Sequence, residues 1–227
     1  MPETAQQVYD RLWAEAMAAF EAGTVRTDPY LLQRETDTRQ GITLIARPDP
    51  PTLVRIGELL EGLQRVAPEQ YIYRPEELHI TVLSLIGTSP EFCLEAAPIE
   101  QYKALFADQL PCVRPFTIRY PGIVASPDAV MLRGYSDALN VLRDHLRTEL
   151  TRAGLGGTLD RRYRSVTAHS TVMRFQVLPF DLPALVRYLR TMHDHDFGVF
   201  DVDHLDFVVN DWFMSHDKTQ VLARYVL

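Results

Sequence analysis

Apolar residues recur every three or four positions in five stretches of the chain, which predicts five helices. The first spans residues 4–22, with Thr4 as a candidate N-cap and Gly23 as a stop. A proline pair at 50–51 opens the second, and Pro68 closes it. The remaining three are expected at 99–110, 136–153 and 182–192.

Alternation of apolar and polar residues predicts eight strands between these helices. They are expected at 41–47, 71–74, 78–86, 113–124, 129–135, 166–177, 200–209 and 220–227, the fourth and fifth forming a hairpin across Ser126-Pro127-Asp128. The polar stretch 24–40 shows neither period, and 154–165 is rich in glycine and arginine. The first is therefore predicted to be a loop or an ordered meander, and the second a mobile loop.

Strands and helices follow one another in a broadly similar order in the two halves of the chain. We therefore predict an α+β fold of two lobes, in which two antiparallel β-sheets flanked by helices surround a central cleft in a pseudo-two-fold arrangement. Residues 1–40 are predicted to be an N-terminal helix and extension, and residues 41–227 a single bilobal domain, since no low-complexity linker divides them.

The sequence His-x-Thr-Val occurs twice, as His79-Ile80-Thr81-Val82 and as His169-Ser170-Thr171-Val172. With 17 Thr and 19 Val among 227 residues, two such hits at seven histidines arise by chance roughly once in a thousand sequences of this composition. Residues i and i+2 of a strand share one face. Each quartet therefore presents one imidazole and one hydroxyl together, with its second and fourth residues turned inward.

Two imidazoles beside one substrate are suited to acid–base catalysis, because histidine titrates near neutral pH and one ring can be a base while the other is an acid. In-line displacement at phosphorus needs one group near the attacking oxygen and one near the leaving oxygen. The hydroxyls of Thr81 and Thr171 could donate hydrogen bonds to the nonbridging phosphate oxygens.

This pair of motifs resembles that of the two-histidine phosphoesterase superfamily, which includes bacterial 2′-5′ RNA ligase-like proteins and cyclic nucleotide phosphodiesterases. The resemblance covers about residues 41–227 and implies two antiparallel-sheet lobes around a cleft. It implies that His79 and His169 are the catalytic acid and base, in an order left open, and that Thr81 and Thr171 bind phosphate. It implies no metal and no cofactor.

Two residues of the second motif region depart from the simplest pattern. Ser170 is polar where the family usually has an apolar residue. Arg174 resembles a basic residue that often follows the second motif, but strand parity points it away from the cleft. We therefore expect Arg174 to give structural support rather than to contact phosphate.

Composition narrows the class of substrate. The net charge of −7 argues against a surface that neutralises many phosphates, so we expect a small nucleotide or an RNA end as substrate, with no extended nucleic-acid surface. No stretch approaches the length of a membrane span and the first residues lack a secretion signal, so we expect a cytoplasmic protein without membrane contact. We also expect it to be a monomer. Cys93 and Cys112 are expected to be buried, unbridged thiols.

Two alternatives to a metal-independent phosphodiesterase remain open at this point. A nucleotide-binding module could keep the cleft without turnover. A metal-dependent phosphohydrolase could instead use the histidines and aspartates at 193–204, which form the run His193-Asp194-His195-Asp196 followed by Asp201, Asp203 and His204. His145 and His216 are expected to be surface residues.

Overall fold

The computed structural model describes residues 3–160 and 164–227. Its helices are α1 Ala5–Glu21, α2 Pro50–Val66, α3 Ile99–Gln109, α4 Asp137–Arg152 and α5 Leu182–Met192. Its strands are β1 Gln40–Ala46, β2 Tyr71–Ile72, β3 Ile80–Ser89, β4 Phe116–Tyr120, β5 Ile123–Ser126, β6 Ala129–Leu132, β7 Ser170–Arg174, β8 Gly198–Val202, β9 His204–Asp211 and β10 Gln220–Val226. The polar stretch predicted as a loop contains a 3₁₀ helix, Pro29–Thr36.

The five predicted helices are confirmed. Each begins where the sequence supplies a capping side chain or a proline. Thr4 accepts a hydrogen bond from the Gln7 amide, and the Gln7 side chain accepts one from the Thr4 amide, which is a capping box. Ser136 caps α4 by accepting from the Leu139 amide. Such caps satisfy amide groups that have no partner within the helix.

The strands form two four-stranded antiparallel sheets, which confirms the predicted fold class. The first has the order β10-β9-β1-β3 and the second the order β2-β7-β6-β5, while β4 and β8 pair as a separate ribbon. Each sheet draws strands from both halves of the chain, since β9 and β10 join the first and β2 joins the second. The sheets of the two lobes are therefore not the two halves of the sequence.

Both motif strands contain a β-bulge at the valine that follows the motif threonine. On β3, Thr81 and Leu83 pair with neighbouring residues of β1, which leaves Val82 without a partner there. On β7, Thr171 and Met173 pair with neighbouring residues of β6, which leaves Val172 without one. A bulge turns two successive residues to the same side. Both valines and the residues after them are accordingly fully buried.

The predicted strand at 113–124 is wrong in its length, because the chain breaks at Pro121-Gly122 and β4 and β5 enter different sheets. Gly122 lies so close to the neighbouring backbone that a Cβ there would be 1.9 Å from the His193 carbonyl oxygen. Only glycine fits such an approach. The hairpin itself, β5 with β6 across Ser126, is confirmed.

Several smaller predictions can be compared with the described residues. Cys93 and Cys112 are free as predicted, but both are exposed rather than buried. The arginine-rich part of the predicted mobile loop, residues 161–163, lies outside the described residues, as do residues 1 and 2. Within residues 3–160 and 164–227, no helix is long and apolar enough to cross a membrane.

Arg143, on the inner face of α4, connects the two motif strands. The side chain is 1% exposed. Its Nε donates to the Val82 carbonyl at 3.0 Å, and its Nη2 donates to the carbonyls of Thr81 at 2.5 Å and Thr167 at 2.9 Å. The first two carbonyls belong to the bulge of β3, and the third precedes β7. One guanidinium thus satisfies buried carbonyls from both lobes.

We expect Arg143→Met to lower the free energy of unfolding by about 2–4 kcal/mol, because it leaves up to three buried carbonyls without a donor while removing the cost of burying a charge. Urea denaturation measures this difference. Arg152→Met is the matched control on the same helix, because Arg152 is 71% exposed and pairs with Glu149 alone in the part of the chain described. It should change stability by less than about 0.5 kcal/mol. Equal effects of the two substitutions would contradict the role given to Arg143.

Candidate active site

The four residues predicted from the two motifs line a single cavity of about 170 Å³ between the two sheets. One sheet contributes His79 and Thr81 and the other contributes His169 and Thr171. Each histidine lies one residue before its strand begins. The structure therefore brings together, at one cleft, two segments separated by 90 residues of sequence.

His79 is oriented by the short 3₁₀ turn Pro75–Glu77 that precedes it. Its Nδ1 lies 2.8 Å from the Glu77 carbonyl oxygen. Since a carbonyl can only accept, Nδ1 carries the hydrogen and Nε2 keeps its lone pair. The turn is itself fixed by the buried Glu77 carboxylate, which accepts from the Tyr71 hydroxyl at 2.9 Å and from the Arg74 amide at 3.0 Å.

His169 is oriented by a hydroxyl instead. Its Nδ1 lies 2.7 Å from Oγ1 of Thr167, two residues earlier in the chain. Thr167 is buried, and its carbonyl is the one that accepts from Arg143. The two rings therefore occupy equivalent positions in their motifs but have chemically different partners at Nδ1.

Burial and nearby cations keep both rings neutral at neutral pH. Burial lowers the pKa of His79 to about 4, and the positive charges of Arg47 and Arg174 act in the same direction, while the Glu77 carbonyl opposes them. Burial also lowers the pKa of His169 to about 4, with further lowering by Arg143, by His79 and by Arg174. The influence of one ring on the pKa of the other reflects their proximity.

The prediction that Arg174 points away from the cleft is wrong, because Arg174 lines the cavity. The parity argument assumes a regular strand, and the bulge at Val172 reverses the alternation after it. Arg174 therefore shares the face of His169 and Thr171. Its Nε donates to the hydroxyl of the buried Tyr73 at 2.9 Å, which holds the guanidinium at the wall of the cleft.

The bulge in the first motif has the same effect on Ser84, which also lines the cavity and which the sequence analysis did not identify. Ser84 and Arg174 stand five residues after their respective histidines. This equal spacing is the signal that could have found both residues. Ser170, the polar residue of the second motif, is fully buried on the other face of the strand. Its hydroxyl lowers the pKa of the buried Tyr120, whereas burial raises the pKa of that phenol.

The histidines and aspartates at 193–204 do not gather into a metal centre. His193 stacks on Trp13 with ring centroids 4.1 Å apart, His195 lies edge-on to Phe197, and His204 pairs with Asp203. No three His, Cys, Asp or Glu side chains are arranged to hold a metal ion in the part of the chain described, which includes all of 193–204. His145 and His216 are exposed, as predicted.

Known structures with a similar fold include TT0787 of Thermus thermophilus, which is 17% identical with a TM-score of 0.60 over 82% of this chain and 97% of that one. The apo form of E. coli LigT is 16% identical, with a TM-score of 0.55 over 84% of this chain and 98% of LigT. The chain has the LigT fold. The LigT complex with 3′-AMP gives the same TM-score at 15% identity, over 83% and 98% of the two chains.

This fold is the one that the resemblance to two-histidine phosphoesterases predicts. No protein-family model and no curated protein matches the sequence. At 15–17% identity these solved structures establish the fold, while the chemistry has to be argued from the residues of the cleft.

Substitution of the arginines near the two rings should raise the histidine pKa values selectively. Arg174→Met should raise the pKa of both histidines, because its charge opposes protonation of each. Arg47→Met should raise the pKa of His79 alone, since Arg47 influences the pKa of His79 and not that of His169. Titration of the ring resonances by NMR measures both. An unchanged His79 pKa in both variants would contradict this electrostatic description of the cleft.

Proposed function

We propose that the protein is a metal-independent phosphodiesterase that hydrolyses 2′,3′-cyclic phosphates or related small nucleotide or RNA-end phosphodiesters. The observation that supports this most directly is the convergence of two imidazoles, each with a threonine hydroxyl beside it, on one cavity. A pair of rings in this arrangement can serve the attacking and leaving oxygens of one phosphorus centre without a metal.

The local hydrogen bonds favour different roles for the two histidines. The hydrogen bond from Nδ1 to the Glu77 carbonyl favours the protonated form of His79. We therefore propose His79 as the general acid that protonates the leaving ribose oxygen. His169, whose pKa is lowered by Arg143 as well as by burial, is then the general base that activates water. Both rings are neutral in the empty cleft, and an anionic phosphate between them would favour protonation of one of them.

Several hydrogen-bond donors in the cavity wall could stabilise the negative charge that develops on the phosphate. The hydroxyls of Thr81 and Thr171 are candidate phosphate ligands, and the guanidinium of Arg174 adds a positive charge next to them. Donors that are fixed before the substrate binds stabilise a transition state most effectively. We therefore propose that Arg174 contacts the phosphate, which strand parity alone argued against.

The size of the cavity is suited to a small or terminal phosphodiester. Its volume of about 170 Å³ is below the roughly 300–1,000 Å³ of pockets that enclose a whole small molecule. A phosphate and part of its ribose fit this space, whereas the base would extend toward solvent. The E. coli LigT complex with 3′-AMP shows that a protein of this fold can bind a mononucleotide.

Substitution of either histidine should strongly reduce turnover without unfolding the protein. We expect His79→Ala and His169→Ala each to lower kcat for a 2′,3′-cyclic nucleotide by about 10²–10⁴-fold in excess chelator, because each removes one proton transfer. Thr81→Val and Thr171→Val should lower kcat about 10- to 10³-fold by removing a phosphate donor. The matched control is His145→Ala, because His145 lies on the exposed side of α4 and bonds to Gln109 there. It should leave kcat unchanged.

The same assay separates the alternatives. Activity retained in either histidine variant would overturn the proposal. Saturable nucleotide binding without product at any pH would identify a binding module. Activity lost on chelation, with His195→Ala more damaging than His79→Ala, would indicate metal-dependent hydrolysis.

A further inference from the structure

Tyr9, on the amino-terminal helix α1, is connected by hydrogen bonds to the segment that carries His169. Its side chain is 2% exposed, on the face of α1 that packs against β5. The Tyr9 hydroxyl donates to the Gly134 carbonyl at 2.9 Å and accepts from the Gly134 amide at 3.0 Å. That same carbonyl accepts from the amide of Ala168 at 3.2 Å.

The backbones of Gly134 and Ala168 are in direct contact at this point. A Cβ on Gly134 would lie 1.8 Å from the Ala168 carbonyl oxygen, so only glycine allows the approach. Ala168 immediately precedes His169. The Tyr9 hydroxyl therefore binds the amide and the carbonyl of Gly134, and Gly134 in turn contacts the backbone of Ala168 directly before His169.

Thr167, two residues before His169, is the direct partner of the ring. Its hydroxyl lies 2.7 Å from Nδ1 of His169. The peptide unit between Thr167 and Ala168 is held at both of its polar groups, because its carbonyl accepts from Arg143 and its amide donates to the Gly134 carbonyl. The Gly134 carbonyl, which Tyr9 also binds, therefore fixes one side of the peptide that precedes the ring.

We propose that Tyr9 is a positioning residue for His169: by holding Gly134 against Ala168 it fixes the backbone before the ring, and with it the bond between Nδ1 of His169 and the Thr167 hydroxyl. This inference rests on the proposed function for its catalytic consequence, but not for its structural content. It gives the N-terminal helix, which we predict to be an addition to the two-lobed domain, a part in forming the base.

Tyr9→Phe tests the proposal because it removes one oxygen and keeps the ring. The ¹⁵N shifts of the His169 ring report its bond to the Thr167 hydroxyl, and in Tyr9→Phe we expect them to differ from those of the unaltered protein because the backbone before the ring is no longer held. We expect kcat to fall about 10- to 100-fold with little change in KM, as is usual when a partner that orients a functional imidazole is lost. Thr167→Val should produce the same loss, and Thr167→Ser, which keeps the hydroxyl, should restore the activity.

The matched control is Tyr135→Phe. The Tyr135 hydroxyl also contacts α1, where it donates to the Gln6 side chain at 2.7 Å, but this bond does not involve Gly134. Its removal should change neither the His169 ring shifts nor kcat. If Tyr9→Phe leaves the His169 ring shifts unaltered, the inference is wrong. The ring shifts are measured without substrate, so a protein in which they change but which hydrolyses no phosphodiester would disprove the proposed function and leave the positioning role intact.

Discussion

The contact between the Arg143 guanidinium and the backbones of the two motif strands is the interaction on which the cleft depends. Two of its acceptors are carbonyls at the bulge of β3, and the third precedes β7. A bulge leaves polar backbone groups outside the sheet ladder, and buried groups of this kind need another partner. Arg143 supplies that partner for one lobe while it binds the other. The irregularity that turns side chains toward the cleft is therefore also the point at which the lobes are joined.

The same guanidinium contributes to the electrostatic character of the site. Arg47, Arg143 and Arg174 each lower the pKa of at least one of the two histidines. The chain as a whole carries a formal charge of −7, yet the charged side chains that shift the pKa of either ring most include three arginines and no carboxylate. The net charge governs the attraction or repulsion of a long polyanion in solution, whereas the local electrostatic potential governs the binding of a small ion in a cleft. An acidic protein with a cleft that suits one phosphate is consistent with both observations.

Much of the fold could be predicted from local sequence signals. Capped helices were found because Thr4 and Ser136 precede regular apolar repeats, and the two His-x-Thr-Val quartets pointed to residues that do meet at one cavity. The bulges could not be predicted from one sequence, because they depend on how β3 and β7 pair with distant strands. The incorrect orientation of Arg174 follows from that single omission. Likewise, the break at Gly122 is imposed by the carbonyl of His193, which is distant in sequence.

The position of β9 determines when during synthesis the cleft can form. This strand lies between β10 and β1, so the sheet that bears His79 lacks its central member until residues 204–211 have left the ribosome. Pairing across such a separation requires closure of a long loop and is slow compared with helix formation. Before β9 pairs, the edge of β1 that it covers lacks hydrogen-bond partners, and an unpaired edge of this kind can recruit other chains. Residues 204–211 thus both complete the sheet that bears His79 and cover the open edge of β1.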